Sequence, residues 1–195
     1  SLESRVLFNA AFDLVHITDL RNDPIYASID GSGVGVAILD TGLDAAHPDL
    51  SGGYLGGSDF TDDGVPANQD VQGQGTHVAG TIGSRNARLG IATASGQLGL
   101  QVLGADGRGT MDVIATALDC LVANQERYNI RVVNMSLGVG VNVTSDPNFL
   151  PAVTAAIQNA ERHGITVVSA AGNDYVRYQV MGVSYPAIAS TISVG

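Results

Sequence analysis

The sequence predicts an α/β domain of three layers, a predominantly parallel sheet flanked by helices. Two observations carry that prediction. The strand-like runs, such as Val36-Ala-Ile-Leu39 and Val132-Val133, are short, apolar and β-branched, the composition of strands covered on both faces. Helical patterns separate them, and strands alternating with helices at these lengths imply right-handed crossovers between parallel neighbours.

The elements follow in order. Residues 1–29 are an N-terminal segment ahead of the first strand. That strand is expected over Val34–Leu39, with a shorter one near Tyr54–Leu55. A helix is expected to begin around His77, after the glycine-rich approach Gly73-Gln-Gly-Thr. Further strands are expected over Gly99–Leu103, Arg131–Met135, Thr166–Ala170 and Thr191–Val194, and helices over Met111–Gln125 and Phe149–Arg162. The last helix has apolar residues at Leu150, Val153, Ala156, Ile157 and Ala160, and Gly164 stops it. No repeat or linker divides the chain, so residues 1–195 read as one domain.

Composition narrows the function. Hydrophobic residues make up 45% of the 195, enough for a sizeable core. The net charge is −10 and only nine Lys and Arg are scattered along the chain, which argues against a nucleic-acid partner. No uninterrupted apolar run is long enough to cross a membrane. Cys120 is the one cysteine, so no internal disulfide forms. It sits in the apolar pattern Ile114–Val122 and reads as a buried thiol. Gly31-Ser-Gly33-Val-Gly35 has the look of a dinucleotide fingerprint, but it precedes a strand instead of linking a strand to a helix.

Three motifs carry chemistry. Asp40 ends an apolar strand and is followed by Thr41-Gly42; a buried carboxylate there needs a partner. His77 lies in Gly73-Gln-Gly-Thr-His77-Val-Ala-Gly-Thr, where small residues permit close approach to an imidazole. Asn173 ends Val167-Val-Ser-Ala-Ala-Gly-Asn173. In this order, and with Leu43-Asp-Ala-Ala-His-Pro-Asp-Leu50, the motifs resemble the subtilisin-like serine peptidases, from about Asp30 to Gly195.

The resemblance implies an endopeptidase working through an acyl-enzyme, with no cofactor in the chemistry. It implies His77 as general base, Asp40 as its partner and Asn173 as donor to the oxyanion. The family usually has His where this chain has Gln74, read here as a neighbour outside the triad. The resemblance also implies a groove for an extended peptide or protein substrate. Ser136, Leu137 and Gly138 are one edge, Gly107 and Gly109 the other, and Ala171 and Gly172 a pocket wall. Asp174 at the pocket rim implies a modest preference for Lys or Arg, and Tyr185-Pro186 is expected to be cis.

No Gly-Thr-Ser-Met-Ala-type segment with the family's nucleophile occurs in the chain. Ser136 and Ser169 lie in or at the ends of apolar strands, without the turn into a helix that exposes a nucleophile. The domain is therefore expected to be incomplete at its C-terminus and inactive by itself. Its strands Val36–Leu39 and Val132–Met135 are expected to be partly uncovered, so that it aggregates or binds a complementing chain. A non-catalytic peptide-binding relative is the alternative.

The loop Asp59-Phe-Thr-Asp-Asp63-Gly64 with Asp70 only partly mimics a calcium loop, and no metal ligands are assigned. An extracellular setting is expected from the resemblance. Ser1-Leu-Glu-Ser-Arg-Val-Leu-Phe does not have the pattern of a signal peptide, so any signal or pro-segment is expected to have been removed.

Overall fold

The computed structural model describes residues 11–139, 146, 148–173, 175, 179, 182–187, 189 and 191–195. Among these residues there are six strands: β1 (Gly35–Asp40), β2 (Tyr54–Asp59), β3 (Gly96–Gln101), β4 (Ile130–Met135), β5 (Thr166–Ala170) and β6 (Ile192–Val194). They form one sheet in the order β2-β3-β1-β4-β5-β6, with every pair parallel. All six strands therefore end on the same edge. The helices are α1 (Ile17–Asn22), α2 (Gln74–Gly83), α3 (Met111–Ala123), α4 (Gln125–Tyr128) and α5 (Pro151–Arg162).

Strand alternation divides the core between the two faces of the sheet. Ala37 and Leu39 point to the larger cluster, with Leu100, Val133 and Met135 and with Ile114, Leu118 and Leu121 of α3 and Val153 and Ile157 of α5. Val36 and Ile38 point the other way, to a smaller cluster with Leu43, Leu50 and Ala79 of α2. Asp40 continues the second series, so its side chain belongs to the α2 face.

Several expectations are corrected. Near Tyr54 the strand has six residues, not two, because pairing with β3 holds Gly56–Asp59 extended despite their low strand propensity. β3 starts at Gly96, where backbone pairing with Gly35 outweighs the lack of apolar side chains. The helix expected to run to Gln125 ends at Ala123, and a separate turn follows. Of the two strands expected to be partly uncovered, Val36–Leu39 is buried throughout, while in Val132–Met135 Val133 and Met135 are buried and Val132 and Asn134 only half-buried. Exposed apolar side chains lie instead at Leu14, Ile25 and Ile29 in the N-terminal segment and at Ile192 and Val194 on β6.

The Tyr185-Pro186 bond is cis, as expected. The Tyr185 ring is fully buried edge-on to Phe149, at 6.2 Å between centroids. Its hydroxyl is 2.9 Å from Thr154 Oγ1 and donates to the Leu150 carbonyl at 3.1 Å. Tyr185→Phe removes both contacts and is expected to cost about 1–2 kcal/mol, read as a lower denaturant midpoint at unchanged slope.

Candidate active site

β1 delivers Asp40 to the sheet edge at zero solvent exposure. One carboxylate oxygen, Oδ1, accepts the Thr41 N–H at 2.9 Å. The other, Oδ2, is buried with no hydrogen-bond partner among the described residues. Burial pushes the carboxyl up to about 6; the Thr41 N–H opposes this and the nearby Asp70 charge adds to it. A buried carboxylate left half-satisfied is expensive, so the unpartnered Oδ2 is the defining feature of the site.

The start of α2 is fixed by a polar cluster around Asp70. Asp70 Oδ1 accepts the Gly73 N–H at 2.7 Å and the Thr41 hydroxyl at 2.9 Å. Its Oδ2 accepts both the Thr76 N–H at 2.8 Å and the Thr76 hydroxyl at 2.7 Å. Thr41 Oγ1 in turn accepts the Gly75 N–H at 3.0 Å. A carboxylate on free N–H groups is what a helix N-terminus favours, and it starts α2 at Gln74. That is three residues before His77, where the sequence put the start.

The face of α2 that packs on β1 turns His77 away from Asp40. Gly75, Ala79 and Gly83 are the buried residues of α2, one stripe at four-residue spacing. At 100° per residue, His77 stands about 200° round the helix from Gly75. Its imidazole is exposed and lines a cleft of about 420 Å³ with His47, Asp49, Leu50 and Leu89. The expected hydrogen bond between Asp40 and His77 is therefore absent, and His77 as placed is not the base partner of Asp40.

Gln74 takes the position that His77 does not. Gly75 packs directly on Asp40: a Cβ there would lie 3.2 Å from the Asp40 Cβ and would collide with the Gly42 carbonyl oxygen. The residue before it projects across the end of β1, and Gln74 Nε2 donates to the Ser136 carbonyl at 2.9 Å. Sequence reasoning left Gln74, Asp70, Thr41 and Thr76 without a role. The signal was present in Gly75, the small residue that marks which face of the helix meets the strand.

The remaining site residues surround this point. β3 and β4 flank β1, so the Gly107–Gly109 turn after β3 and the Ser136–Gly138 segment after β4 lie on either side of Asp40. The first is closed by the Gly107 N–H on the Gly104 carbonyl and the Gly104 N–H on the Arg108 carbonyl, each at 2.8 Å. Ala171 and Gly172 follow β5, and Gly172 adopts φ 93° against Ser184, which a side chain would strike. Asn173 is exposed just beyond them. Asp174 lies outside the described residues. In the acidic loop, Asp59 accepts the Thr61 N–H at 2.7 Å. Asp63 accepts the Val65 and Ala105 N–H groups, which hold its carboxyl below the usual range.

Residues 31–195 match the model of the subtilase family. The chain belongs to the subtilase family. It is 39% identical over 171 residues to "Subtilisin BL" of Lederbergia lenta, covering 86% of this chain and 56% of that protein. It is 35% identical over 153 residues to the "Major intracellular serine protease" of Bacillus subtilis (strain 168), covering 75% of this chain and 44% of that one. Among solved structures, a cold adapted subtilisin-like serine proteinase superimposes with a TM-score of 0.68 at 31% identity, over 86% of this chain and 56% of its own. This subtilase chain thus spans about half the length of these relatives. Among the described residues no helix is long and apolar enough to cross a membrane.

Proposed function

We propose that this subtilase chain forms a groove that holds an extended peptide or protein segment without cutting it through an Asp–His pair. One observation carries the reading: Asp40 Oδ2 is buried and unpartnered among the described residues, while His77 stands on the far side of α2. A general base must lie within hydrogen-bond reach of the carboxylate that orients it.

The groove itself is kept. Ser136, Leu137 and Gly138 on one side and Gly107 and Gly109 on the other offer backbone groups to a peptide in extended form. Ala171 and Gly172 form a wall of small residues beside the groove, and Asn173 donates to a peptide carbonyl. A fluorescein-labelled extended peptide is expected to bind saturably, to be recovered intact, and to bind about tenfold more weakly to Gly138→Val, whose added bulk presses on Ser184 and the Tyr185 carbonyl and displaces this edge of the groove. Equal affinity for the Gly138→Val protein would mean that the peptide lies elsewhere.

Family membership favours a second reading, a serine endopeptidase acting through an acyl-enzyme. That reaction needs a serine nucleophile and an imidazole beside Asp40. Under either reading the partners proposed are peptides or proteins, not nucleic acid, given the net charge of −10. A pro-segment or a complementing chain would find apolar side chains at Ile192 and Val194 on the edge strand β6. The proposed setting is extracellular, although one relative is named intracellular.

A further inference from the structure

The last pair in the register of β1 and β3 is Asp40 beside Gln101. Both residues are fully buried, and both belong to the face that α2 covers. On that face Gln97, earlier in the same row of β3, donates from Nε2 to the Ala79 carbonyl of α2 at 2.8 Å. Asp40 Oδ2 and Gln101 Oε1 are each without a hydrogen-bond partner among the described residues. Asp63 holds the Gln101 amide in this orientation. Nε2 lies 3.3 and 3.2 Å from the two Asp63 oxygens, and a carboxylate only accepts, so Oε1 is left to face inward. The same Asp63 accepts the Ala105 N–H at 3.1 Å, in the turn that leads to Gly107 and Gly109.

We propose that Asp40 keeps a proton on Oδ2 and donates it to Gln101 Oε1, and that this proton regulates the peptide groove. Two buried acceptors side by side lack one donor, and a protonated carboxyl supplies it. When the proton leaves, a carboxylate faces a carbonyl oxygen, and the Gln101 amide turns its N–H groups toward Asp40. That turn takes Nε2 from Asp63, so the Ala105 turn loses part of its support and the Gly107–Gly109 edge loosens. This regulation rests on the peptide-groove reading. Burial places the change at about 6. Asp70, from the loop before α2, is the charged group that faces Asp40 and adds to this rise. Asp63 lies beyond Gln101, while Thr41, Gly75 of α2 and, toward β4, Asn134 and Ser136 carry no charge.

The test is a pH titration of the full chain by NMR, with an uncharged extended peptide added in a second series. The Asp40 carboxyl and the Ala105 amide are expected to titrate together at about 6. Ala105 bonds Asp63, whose own carboxyl is held below the usual range, so Asp63 cannot itself give that response. In Gln101→Met, which offers no acceptor, Asp40 is expected to hold its proton about tenfold more weakly, and Ala105 to stop responding. Burial alone would leave that hold unchanged or strengthen it. The peptide is expected to bind about tenfold more tightly at about pH 5 than at about pH 8. In Asp40→Asn the difference is expected to vanish, because the Asn amide donates to Gln101 at every pH.

An Ala105 amide silent through the Asp40 titration overturns the proposal, as does a Gln101→Met protein whose Asp40 holds its proton unchanged. Should Gln101→Met fail to fold, the Ala105 titration of the unaltered protein decides. Peptide affinity that is the same at both pH values overturns the regulation. No peptide binding at either pH would sink the groove reading itself, while leaving the two titrations to decide the shared proton.

Discussion

Gly75→Ala is expected to destabilise the protein by about 2–3 kcal/mol, although alanine is the better helix former. The added methyl would collide with the Gly42 carbonyl oxygen, and that obstacle is backbone, which cannot swing aside. Helix propensity returns only about 1 kcal/mol, so the clash wins. At Gly80, further along α2, an added methyl would meet nothing within 4 Å among the described residues. Gly80→Ala is therefore expected to stabilise by up to about 1 kcal/mol. Urea melts of the two variants check both signs, and similar midpoints would show that α2 does not seat on Asp40. A loss of about 2–3 kcal/mol is a large part of a typical stability of about 5–15 kcal/mol.

Asp40→Asn is expected to stabilise the protein at about pH 8, by roughly 2–3 kcal/mol. The folded carboxyl releases its proton near 6, against 3.8 for the unperturbed group. Below that lower value both states are protonated and no penalty exists. Between the two values the folded state binds more protons than the unfolded one, so stability falls as pH rises. Above about 6 the full penalty stands. Asn keeps an oxygen for the Thr41 N–H and never ionises, so its advantage appears only on the alkaline side. Thermal melts at about pH 4 and pH 8 test this: the two proteins are expected to converge at the acid end. Had an imidazole paired with Asp40, the same substitution would cost stability instead.

Much of the fold was legible in the sequence because burial on two faces leaves an apolar mark. Thr166–Ala170 was placed to the residue and Ile130–Met135 to within one. Gly56–Asp59 and Gly96–Leu98 were missed as strand because their partners, not their side chains, hold them extended. The N-terminal helix Ile17–Asn22 was missed as well; it has no buried residue, and Arg21 ties it down by donating to the Gly90 carbonyl at 2.6 Å.

In the site, Asp40 was legible from its place at the end of an apolar strand. The pairing of His77 with Asp40 was not legible, because it depended on which face of α2 meets β1. Asp70, which sets the start of α2, acts through space on Gly73 and Thr76. Gln74 and His77 stand only about 60° apart round the helix, and the seating of Gly75 on Asp40 decides which of them reaches across the end of β1.

The most direct measurement follows the Asp40 carboxyl by ¹³C NMR through a pH titration of the protein and of its His77→Ala variant. With His77 facing away from Asp40, the carboxyl is expected to release its proton at the same value, about 6, in both proteins. A carboxyl held low in the unaltered protein that rises in His77→Ala would contradict the placement of His77 and restore the Asp40–His77 pair.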